Sequence, residues 1–239
     1  MNAQNAQAGP STPLRRPAQT IPAPEEMPSG FLKWRSGLAQ FTGLGLSEAE
    51  KQEREEAKAN DTLAKDWDRC EKYKRELMKD SPMVTFMMKH LELAGCPFPA
   101  DAIQCHPCPE WSAGGFSAEF GVLLCQNRML SKKHVEDTLA HEMLHAFDHC
   151  RFKVDWNNLR HHACSEVRAA NLSGDCRWTR EVGRGFYTFN KQHQACVKRR
   201  AVLSVLANPA CAGKEQAEQA VNEVFDSCFK DTRPFDEIY

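Results

Sequence analysis

Bulky apolar side chains are scarce in the first 29 residues and appear abruptly after them. Residues 1–29 are rich in Pro, Ala and Gln, and such a segment cannot bury enough surface to offset the entropy of ordering. We therefore predict that this Pro-rich tail is disordered. In residues 30–46, apolar side chains recur at helical spacing: Phe31, Trp34, Leu38 and Phe41. A helix of this kind can lie in a bilayer interface or pack on the body of the protein itself.

The next stretch predicts two helices. Ser47 followed by Glu50 forms a capping box, after which charged residues continue at high density. Ser81 and Pro82 then supply the N-cap and the N1 proline of a second helix, which Gly95 can end. Because the first helix is so highly charged, we expect most of its surface to be solvated.

The remainder of the chain combines one irregular region with several helical patterns. Within the irregular residues 96–130, the apolar run at residues 116–126 predicts a strand. Helical spacing returns after Ser131, a favourable N-cap, and the predicted helices cover residues 131–149, 155–173, 192–207 and 214–229. A mostly helical chain with a small sheet belongs to the α+β class. We divide it into a tail, a helical segment with possible membrane contact and a folded domain, at residues 1–29, 30–80 and 81–239.

The segment His141-Glu142-Met143-Leu144-His145 has the pattern H-E-x-x-H. On a helix, residues i and i+4 lie one turn apart on the same face, so two imidazoles can bind one zinc ion. Glu142 is turned slightly aside from them and can act as a general base on a water molecule at the metal. Because so short a pattern also occurs by chance, the helical context has to support this interpretation.

The residues around the motif divide into two faces of the predicted helix, with about 100° between successive residues. One arc holds only apolar side chains: Leu139, Ala140, Met143, Leu144 and Phe147. The other arc holds polar ones, with Glu142 at its edge: Thr138, His141, His145 and Asp148. A histidine pair in the core would share the apolar arc, so this separation favours a metal site.

A catalytic zinc ion usually has three protein ligands, so a third ligand is needed. We favour Glu166, which falls in the apolar seam of the helix at residues 155–173, where a carboxylate is costly unless it is paired or binds metal. A glutamate at this distance from the motif resembles the arrangement in thermolysin-like zinc peptidases. The alternatives are an ion pair of Glu166 with Arg160 or Arg168, and Asp148 as the third ligand or as a group that orients an imidazole.

Two further features are compatible with peptide hydrolysis. Residues 115–125 are placed to hold an extended substrate by main-chain hydrogen bonds, as an edge strand does, although an internal strand would show the same pattern. His162 lies one turn before Glu166 and could stabilise an oxyanion, although a surface histidine is the simpler interpretation. Neither pattern is specific enough to assign a role.

Eleven cysteines are an unusual number for a chain of 239 residues. So many thiols suit an oxidising compartment, where they form disulfides. Apart from Cys70, ten of them lie between Cys96 and Cys228, which is enough for five bridges whose pairing the sequence does not determine. A bridge between Cys150 and Cys164 could join the helix of the H-E-x-x-H motif to the helix that carries Glu166.

The pair Cys105 and Cys108 has the C-x-x-C spacing of some zinc and redox sites. A zinc ribbon needs a second close pair, and a thioredoxin-type motif needs a βαβ context, and we find neither in the sequence. We therefore interpret these two cysteines as structural.

Charge and the N-terminal sequence narrow the possible classes of protein. The formal net charge is −1, which argues against general nucleic-acid binding. No stretch approaches the roughly 18 apolar residues of a transmembrane helix. The N-terminus has neither the apolar region of a secretory signal nor, given its prolines, the amphipathic helix of a mitochondrial presequence. A disulfide-bonded chain without a standard export signal is a mismatch that needs an explanation.

Several stretches resemble one known family. They are LAHEMLHAFDHCR at 139–151, VDW at 154–156 and HACSEVRAANLSGDC at 162–176, with upstream support from GGF and LLCQN within 112–127 and downstream support from 193–200 and 221–229. Together they closely resemble the mitochondrial inner-membrane metalloproteases that mature and assemble the membrane sector of ATP synthase. The resemblance covers about residues 80–235, and its most specific part is 163–176.

This resemblance implies a Zn²⁺ peptidase attached peripherally to the inner membrane on its intermembrane-space side. His141 and His145 would be zinc ligands and Glu142 the catalytic residue. Members of the family cleave the propeptide of the mitochondrially encoded ATP synthase subunit a and promote assembly of the Fo sector, a role that does not need proteolysis. The implied partners are the subunit a precursor, Fo assembly intermediates and the membrane surface, with no nucleic acid.

The intermembrane space would also resolve the mismatch between cysteines and targeting, since small cysteine-rich proteins can be retained there by oxidative folding. We thus expect a zincin-like, disulfide-braced α+β domain that hydrolyses peptide bonds. One alternative is an assembly chaperone with dispensable protease activity. Another is a nuclear or cytosolic zinc protease linked to DNA repair, for which mostly free cysteines would be expected.

Overall fold

A computed structural model describes residues 46–109, 112–187 and 191–235, together with Ser29, Gly30, Lys33 and Gly37. The tail predicted to be disordered and the amphipathic segment at residues 30–46 therefore lie almost entirely outside the described residues. Backbone contacts divide the chain into two units, Met1–Lys58 and Ala59–Tyr239. All of the candidate site residues lie in the second unit.

The described residues form seven α-helices and a three-stranded sheet. In chain order they are α1 (Glu48–Asp80), α2 (Pro82–Leu93), β1 (Ile103–His106), β2 (Gly114–Ser117), β3 (Gly121–Cys125), α3 (Lys132–Phe152), α4 (Leu159–Leu172), α5 (Trp178–Gly183), α6 (Gln192–Leu206) and α7 (Lys214–Lys230). The predicted α+β class, with few strands and many helices, is confirmed. No described helix has both the length and the apolar character that crossing a membrane requires.

Polar side chains at the predicted caps fix where the helices begin. The hydroxyl of Ser81 accepts the N–H of Val84, and the hydroxyl of Ser131 accepts the N–H of His134 at 3.2 Å. The helix predicted from residue 155 instead begins at Leu159. Its start is set by Asn158, whose side chain accepts the first free N–H groups of the helix.

The strand predicted at residues 116–126 is a hairpin rather than one strand. The turn at residues 118–120 separates β2 from β3, and Gly121 has a φ of +83°. A Cβ there would also lie 2.2 Å from the carbonyl oxygen of Ala102, so both the backbone angle and the space require glycine. The sheet has the order β1-β3-β2, with β1 parallel and β2 antiparallel to β3, so β2 forms one edge.

Two clusters of buried side chains flank the site. The first joins the sheet to α1, α2 and α3, and the second joins α4 to α6 and α7. The apolar arc predicted for the motif helix is buried, with slight exposure of Phe147 alone, and all of it except Ala140 lies in the first cluster. The predicted seam of α4 lies in the second: Ala163, Val167 and Ala170. The two helices thus bring their polar faces together from two separate cores.

Five disulfides brace the described residues, as the cysteine content predicts: Cys70–Cys105, Cys96–Cys150, Cys108–Cys125, Cys164–Cys228 and Cys176–Cys196. Two details of the prediction were wrong. Cys70 is bridged and Cys211 is the free thiol. The bridge suggested between Cys150 and Cys164 does not form, because Cys150 faces the loop after α2 while Cys164 packs in the second cluster beside α7.

Candidate metal centre

Helices α3 and α4 bring three potential metal ligands together. His141 and His145 lie one turn apart on α3, and Glu166 reaches them from α4. The Nε2 atoms of the two histidines lie 3.5 Å and 3.4 Å from the carboxylate oxygens of Glu166. Among the described residues these three form a group of His, Cys, Asp or Glu close enough to hold an ion, with donor atoms within 4.8 Å of one another.

The geometry and chemistry of this group fit a zinc ion. Ligand atoms about 2.0–2.1 Å from a tetrahedral zinc ion lie about 3.3 Å from each other, close to the spacing between the donors here. Two imidazole nitrogens and one carboxylate are a ligand set of catalytic zinc peptidases, and three protein ligands leave a fourth position open. No thiolate joins this group, since Cys211 does not line the cleft and the other described cysteines are in disulfides.

Glu166 is not engaged in either ion pair considered from the sequence. Arg160 pairs with Glu223, with 2.6 Å between Nε and the carboxylate, while Arg168 pairs with Asp148 and Asp231. Burial alone would raise the pKa of Glu166, but the electrostatic interaction with His145 and hydrogen bonds to neighbouring histidines hold that pKa well below its usual range. The buried carboxylate is thus ionised and directed at the imidazoles.

Asp148 lies behind the group of donors rather than in it. The hydroxyl of Ser165 donates to Asp148 at 2.9 Å, so its oxygen is left to accept the Nδ1–H of His145 at 2.8 Å. A proton on Nδ1 leaves the lone pair of Nε2 directed at the metal position. Asp148 therefore contacts the imidazole of His145 only through the hydroxyl of Ser165, and it does not join the three potential ligands.

His162 is not the surface histidine that the sequence favours. Its side chain is only 13% exposed, and Nε2 lies 3.3 Å from Glu166. The amide nitrogen of Asn208 donates to Nδ1 at 2.8 Å, which puts the ring proton on Nε2, where it can be donated to Glu166. Both ring nitrogens of His162 are thus engaged, and its Nε2–H holds the carboxylate of Glu166 in place.

A second hydroxyl completes the surroundings of Glu166. Ser204 on α6 donates to the Glu166 carboxylate at 2.5 Å. The same oxygen receives His162, so two donors from different parts of the chain fix one carboxylate oxygen. The contribution of Ser204 could not be found from the sequence, since it depends on how α6 packs on α4.

Glu142 lies beside the two histidines and is buried. Burial is the main cause that raises the pKa of its carboxyl to about 7; His145 opposes this rise by more than Glu166 adds to it. Strand β2 passes so close that a Cβ on Gly114 would lie 3.3 Å from a carboxylate oxygen of Glu142 and 2.8 Å from Thr138. The one sign of this approach in the sequence is the Gly114-Gly115 pair.

The residues at the front of the site line one cleft of about 800 Å³: His141, Glu142, His145, His162, Glu166 and Ser204. The edge of β2 forms one wall, and residues on α4, α5 and α6 form another. Trp156 contacts the site edge-on, with ring centroids 5.7 Å from His145 and 5.8 Å from His162. Neither this tryptophan nor the arginines of the cleft were predicted from the sequence, because their spacing does not separate them from ordinary surface residues.

Comparison with known proteins places this site in a family. Residues 68–236 match the model of the Peptidase M76 family. Proteins named "Mitochondrial inner membrane protease ATP23" are similar to the chain in Malassezia globosa (57% identity, covering 71% of this chain and 76% of that protein), in Mycosarcoma maydis (57%, covering 72% and 92%) and in Yarrowia lipolytica (46%, covering 97% and 94%). No solved structure matches the chain.

The family resemblance found in the sequence is therefore confirmed, and so is the prediction of an enzyme. The relatives are by name proteases of the mitochondrial inner membrane, and they align over most of their own length. The His-His-Glu group lies inside the matched residues. With this identity and coverage, the chain belongs to the Peptidase M76 family and is a metallopeptidase.

Proposed function

We propose that this protein is a zinc endopeptidase that acts at the mitochondrial inner membrane from the intermembrane-space side. Its proposed substrate is the precursor of ATP synthase subunit a, and it also assists assembly of the Fo sector. The observation that carries the catalytic part is the convergence of His141, His145 and Glu166, with the buried Glu142 beside them. The substrate and the assembly role come from the family resemblance in the sequence.

The side chains of the site divide the chemistry among them. His141, His145 and Glu166 would hold the ion, which when bound supplies a Lewis acid that polarises the scissile carbonyl and lowers the pKa of water. Glu142 accepts the proton of the attacking water on its carboxylate and passes it to the nitrogen of the leaving amine. Because burial raises the pKa of Glu142 to about 7, its carboxyl can hold this proton near neutral pH.

Strand β2 is suited to position an extended peptide. One of its edges pairs with β3, and its residues Gly114, Gly115 and Phe116 also line the cleft. A peptide added along the free edge would make main-chain hydrogen bonds that do not depend on its side chains. Such a peptide would pass directly over Glu142, which Gly114 approaches closely.

The disulfides support an oxidising compartment. Five bridges among the described residues would not persist against the thiol pool of the cytosol or nucleus, so they favour the intermembrane space over the alternative of a DNA-repair protease. Peripheral attachment is consistent with the lack of a spanning helix among the described residues and with relatives named for the inner membrane. The segment at residues 30–46 is our candidate for the membrane contact.

Replacing the general base tests the catalytic proposal. We expect Glu142→Gln in the full-length, zinc-loaded protein to slow cleavage of the subunit a precursor by at least about 100-fold, because a general base contributes about that much or more. Zinc content, measured by atomic absorption, should not change. Glu119→Gln, at an exposed position in the β2–β3 turn, is the matched control and should cleave normally.

Two outcomes separate the parts of the proposal. Full activity in the Glu142→Gln protein would contradict the mechanism. Expression of the same variant in cells that lack the protein tests assembly, measured as assembled ATP synthase on native gels. Restored assembly without cleavage would show that the assembly role is separate from proteolysis, whereas failure of both would tie assembly to the active site.

A further inference from the structure

The two ends of the cleft differ in chemistry. Asp137, His141, His145 and His149 follow one another at intervals of four residues on α3, so each step advances about 6 Å along the helix. Beyond His145 the cleft is aromatic, since Phe116 and Trp156 line it with ring centroids 6.1 Å apart. Trp156 also stacks on His149 behind the lining, with centroids 6.2 Å apart. Before His141 it is charged. The metal ligands thus lie between an aromatic end and a charged end.

Four arginines line the charged end, and we call them the arginine wall: Arg128, Arg180, Arg184 and Arg200. Three of them converge on Asp175, which lies 3.3 Å from Arg180, 2.6 Å from Arg184 and 2.8 Å from Arg200. Burial alone would raise the pKa of Asp175, but Arg200, His141 and Arg184 hold that pKa well below its usual range. An ionised Asp175 therefore fixes these guanidinium groups in place.

Covalent and helical structure hold this arrangement. Cys176 follows Asp175 directly and is bonded to Cys196 on α6, the helix that carries Arg200. Arg180 and Arg184 lie one turn apart at α5 and its C-cap. The guanidinium groups thus need little reorganisation to bind a ligand, which limits the entropy lost on binding.

The arginine wall has more positive charge than its neighbours neutralise. Besides the two glutamates of the active site, the carboxylates that line the cleft are Asp137 and Asp175, against four guanidinium groups. Glu181 pairs with Arg184 and also with Arg199, which is not part of the wall. Because Arg199 offsets the negative charge of Glu181, the net positive charge of the wall is unchanged. Arg128 has no carboxylate partner among the described residues. The buried Nε of Arg180 also has no hydrogen-bond partner there.

The direction of strand β2 indicates which end of a bound peptide would lie at the arginine wall. Its first residue, Gly114, lies against Thr138 and Glu142, whereas Phe116 lies 6.0 Å from His149 in ring centroids. The strand therefore runs from the charged end towards the aromatic end. A peptide paired antiparallel to β2, the more stable pairing, runs the opposite way. Its residues after the scissile bond would then face the arginine wall.

We propose that the arginine wall binds an acidic side chain of the substrate on the C-terminal side of the scissile bond. Guanidinium groups bind carboxylates with paired, charge-assisted hydrogen bonds, and preorganised ones do so most effectively. The wall thereby selects peptides with Asp or Glu after the cleavage point. This inference rests on the proposed peptidase function and specifies the substrate class of the same site.

Matched peptides test the inference. Fluorescein-labelled peptides would carry a single Asp, or Asn as its neutral counterpart, at each of several positions before or after the scissile bond. With the full-length zinc enzyme, we expect Asp after the bond to be favoured about tenfold in kcat/KM, mainly through KM, as one charged hydrogen bond would give. High salt should reduce this preference.

Arginine variants locate the effect. Arg128→Gln removes the arginine of the wall that has no carboxylate partner among the described residues, and it should reduce the ratio of Asp to Asn peptides severalfold. Arg151→Gln, an exposed position at the end of α3 that does not line the cleft, is the matched control and should keep the ratio. A ratio near one in the unaltered enzyme would overturn the proposal, as would an equal loss in both variants. A preference for Asp only before the scissile bond would contradict the proposed direction of the bound peptide.

A binding measurement separates this inference from the proposed function. The same peptides are titrated against the Glu142→Gln protein, and affinity is read by fluorescence anisotropy. Tighter binding of the Asp peptide supports the proposed role of the arginine wall, whether or not the peptide is cleaved. If the unaltered enzyme cleaves no peptide, only the catalytic proposal fails. Equal affinity for Asp and Asn peptides would contradict the wall whatever the cleavage result.

Discussion

The two helices that carry the proposed metal ligands hold them in different ways. His141 and His145 belong to one stretch of α3, and helical geometry alone puts their rings close together, with centroids 4.8 Å apart. Glu166 stands on α4, and its carboxylate is held by His162 on the same helix and Ser204 on α6. The first pair is a local feature of the chain, whereas the third ligand depends on how three helices pack.

The residues that hold His145 and those that hold Glu166 also come from different parts of the sequence. On the histidine side, Ser165 and Asp148 connect His145 to Arg168, whose guanidinium donates to the backbone of Asp231 and Arg233 near the C-terminal end of the described chain. On the glutamate side, Asn208 anchors His162 and itself binds the backbone of Trp156. A ligand set that looks compact is therefore stabilised by contacts from distant parts of the sequence.

The largest effect should come from removing the ligand that packing supplies. We expect Glu166→Ala to lower zinc affinity by more than about 100-fold, the upper range for losing a partner that only orients a ligand. Affinity is measured by competition with a chromophoric chelator. The control Glu223→Ala removes a glutamate that pairs with Arg160 outside the cleft and should keep wild-type affinity. An unchanged affinity in Glu166→Ala would mean that another group completes the site.

The same contrast explains what the sequence could predict. The H-E-x-x-H spacing, the two arcs of α3 and the caps at Ser81 and Ser131 are local, so periodicity and cap chemistry were sufficient to find them. Glu166 was accessible because a lone carboxylate in an apolar seam is costly and needs a partner. In each case the signal lies within one helix.

Features that need two distant segments were missed or wrong. Strand β1 has only four residues, too few for a reliable alternation, and it is stabilised by pairing with β3. The Cys150–Cys164 bridge was suggested from nearness in sequence, but bridge partners depend on packing. His162 was taken for a surface residue because its partner Asn208 lies 46 residues away.

A smaller effect is expected from the support behind His145. Ser165→Ala removes the acceptor of the Nδ1–H and should lower zinc affinity by about 10- to 100-fold, the range for groups that orient a metal-bound histidine. The lost hydroxyl also leaves Asp148 with only Arg168 as its partner in this chain of contacts. Ser227→Ala, on α7 away from the site, is the matched control. Equal affinities in both variants would mean that helix geometry alone orients His145.

The smallest effect is expected from the hydroxyl behind Glu166. Ser204→Ala leaves the same carboxylate oxygen with the proton of His162, so we expect zinc affinity to fall by no more than about tenfold, the lower end of the range for such supports. The double variant with Ser165→Ala then tests whether the two sides are independent. Supports that act on different ligands should reduce affinity additively in free energy, within about 0.5 kcal/mol. A much larger combined loss would show that α3 and α4 position their ligands as one unit, and the distinction between a local pair and a packed third ligand would not hold.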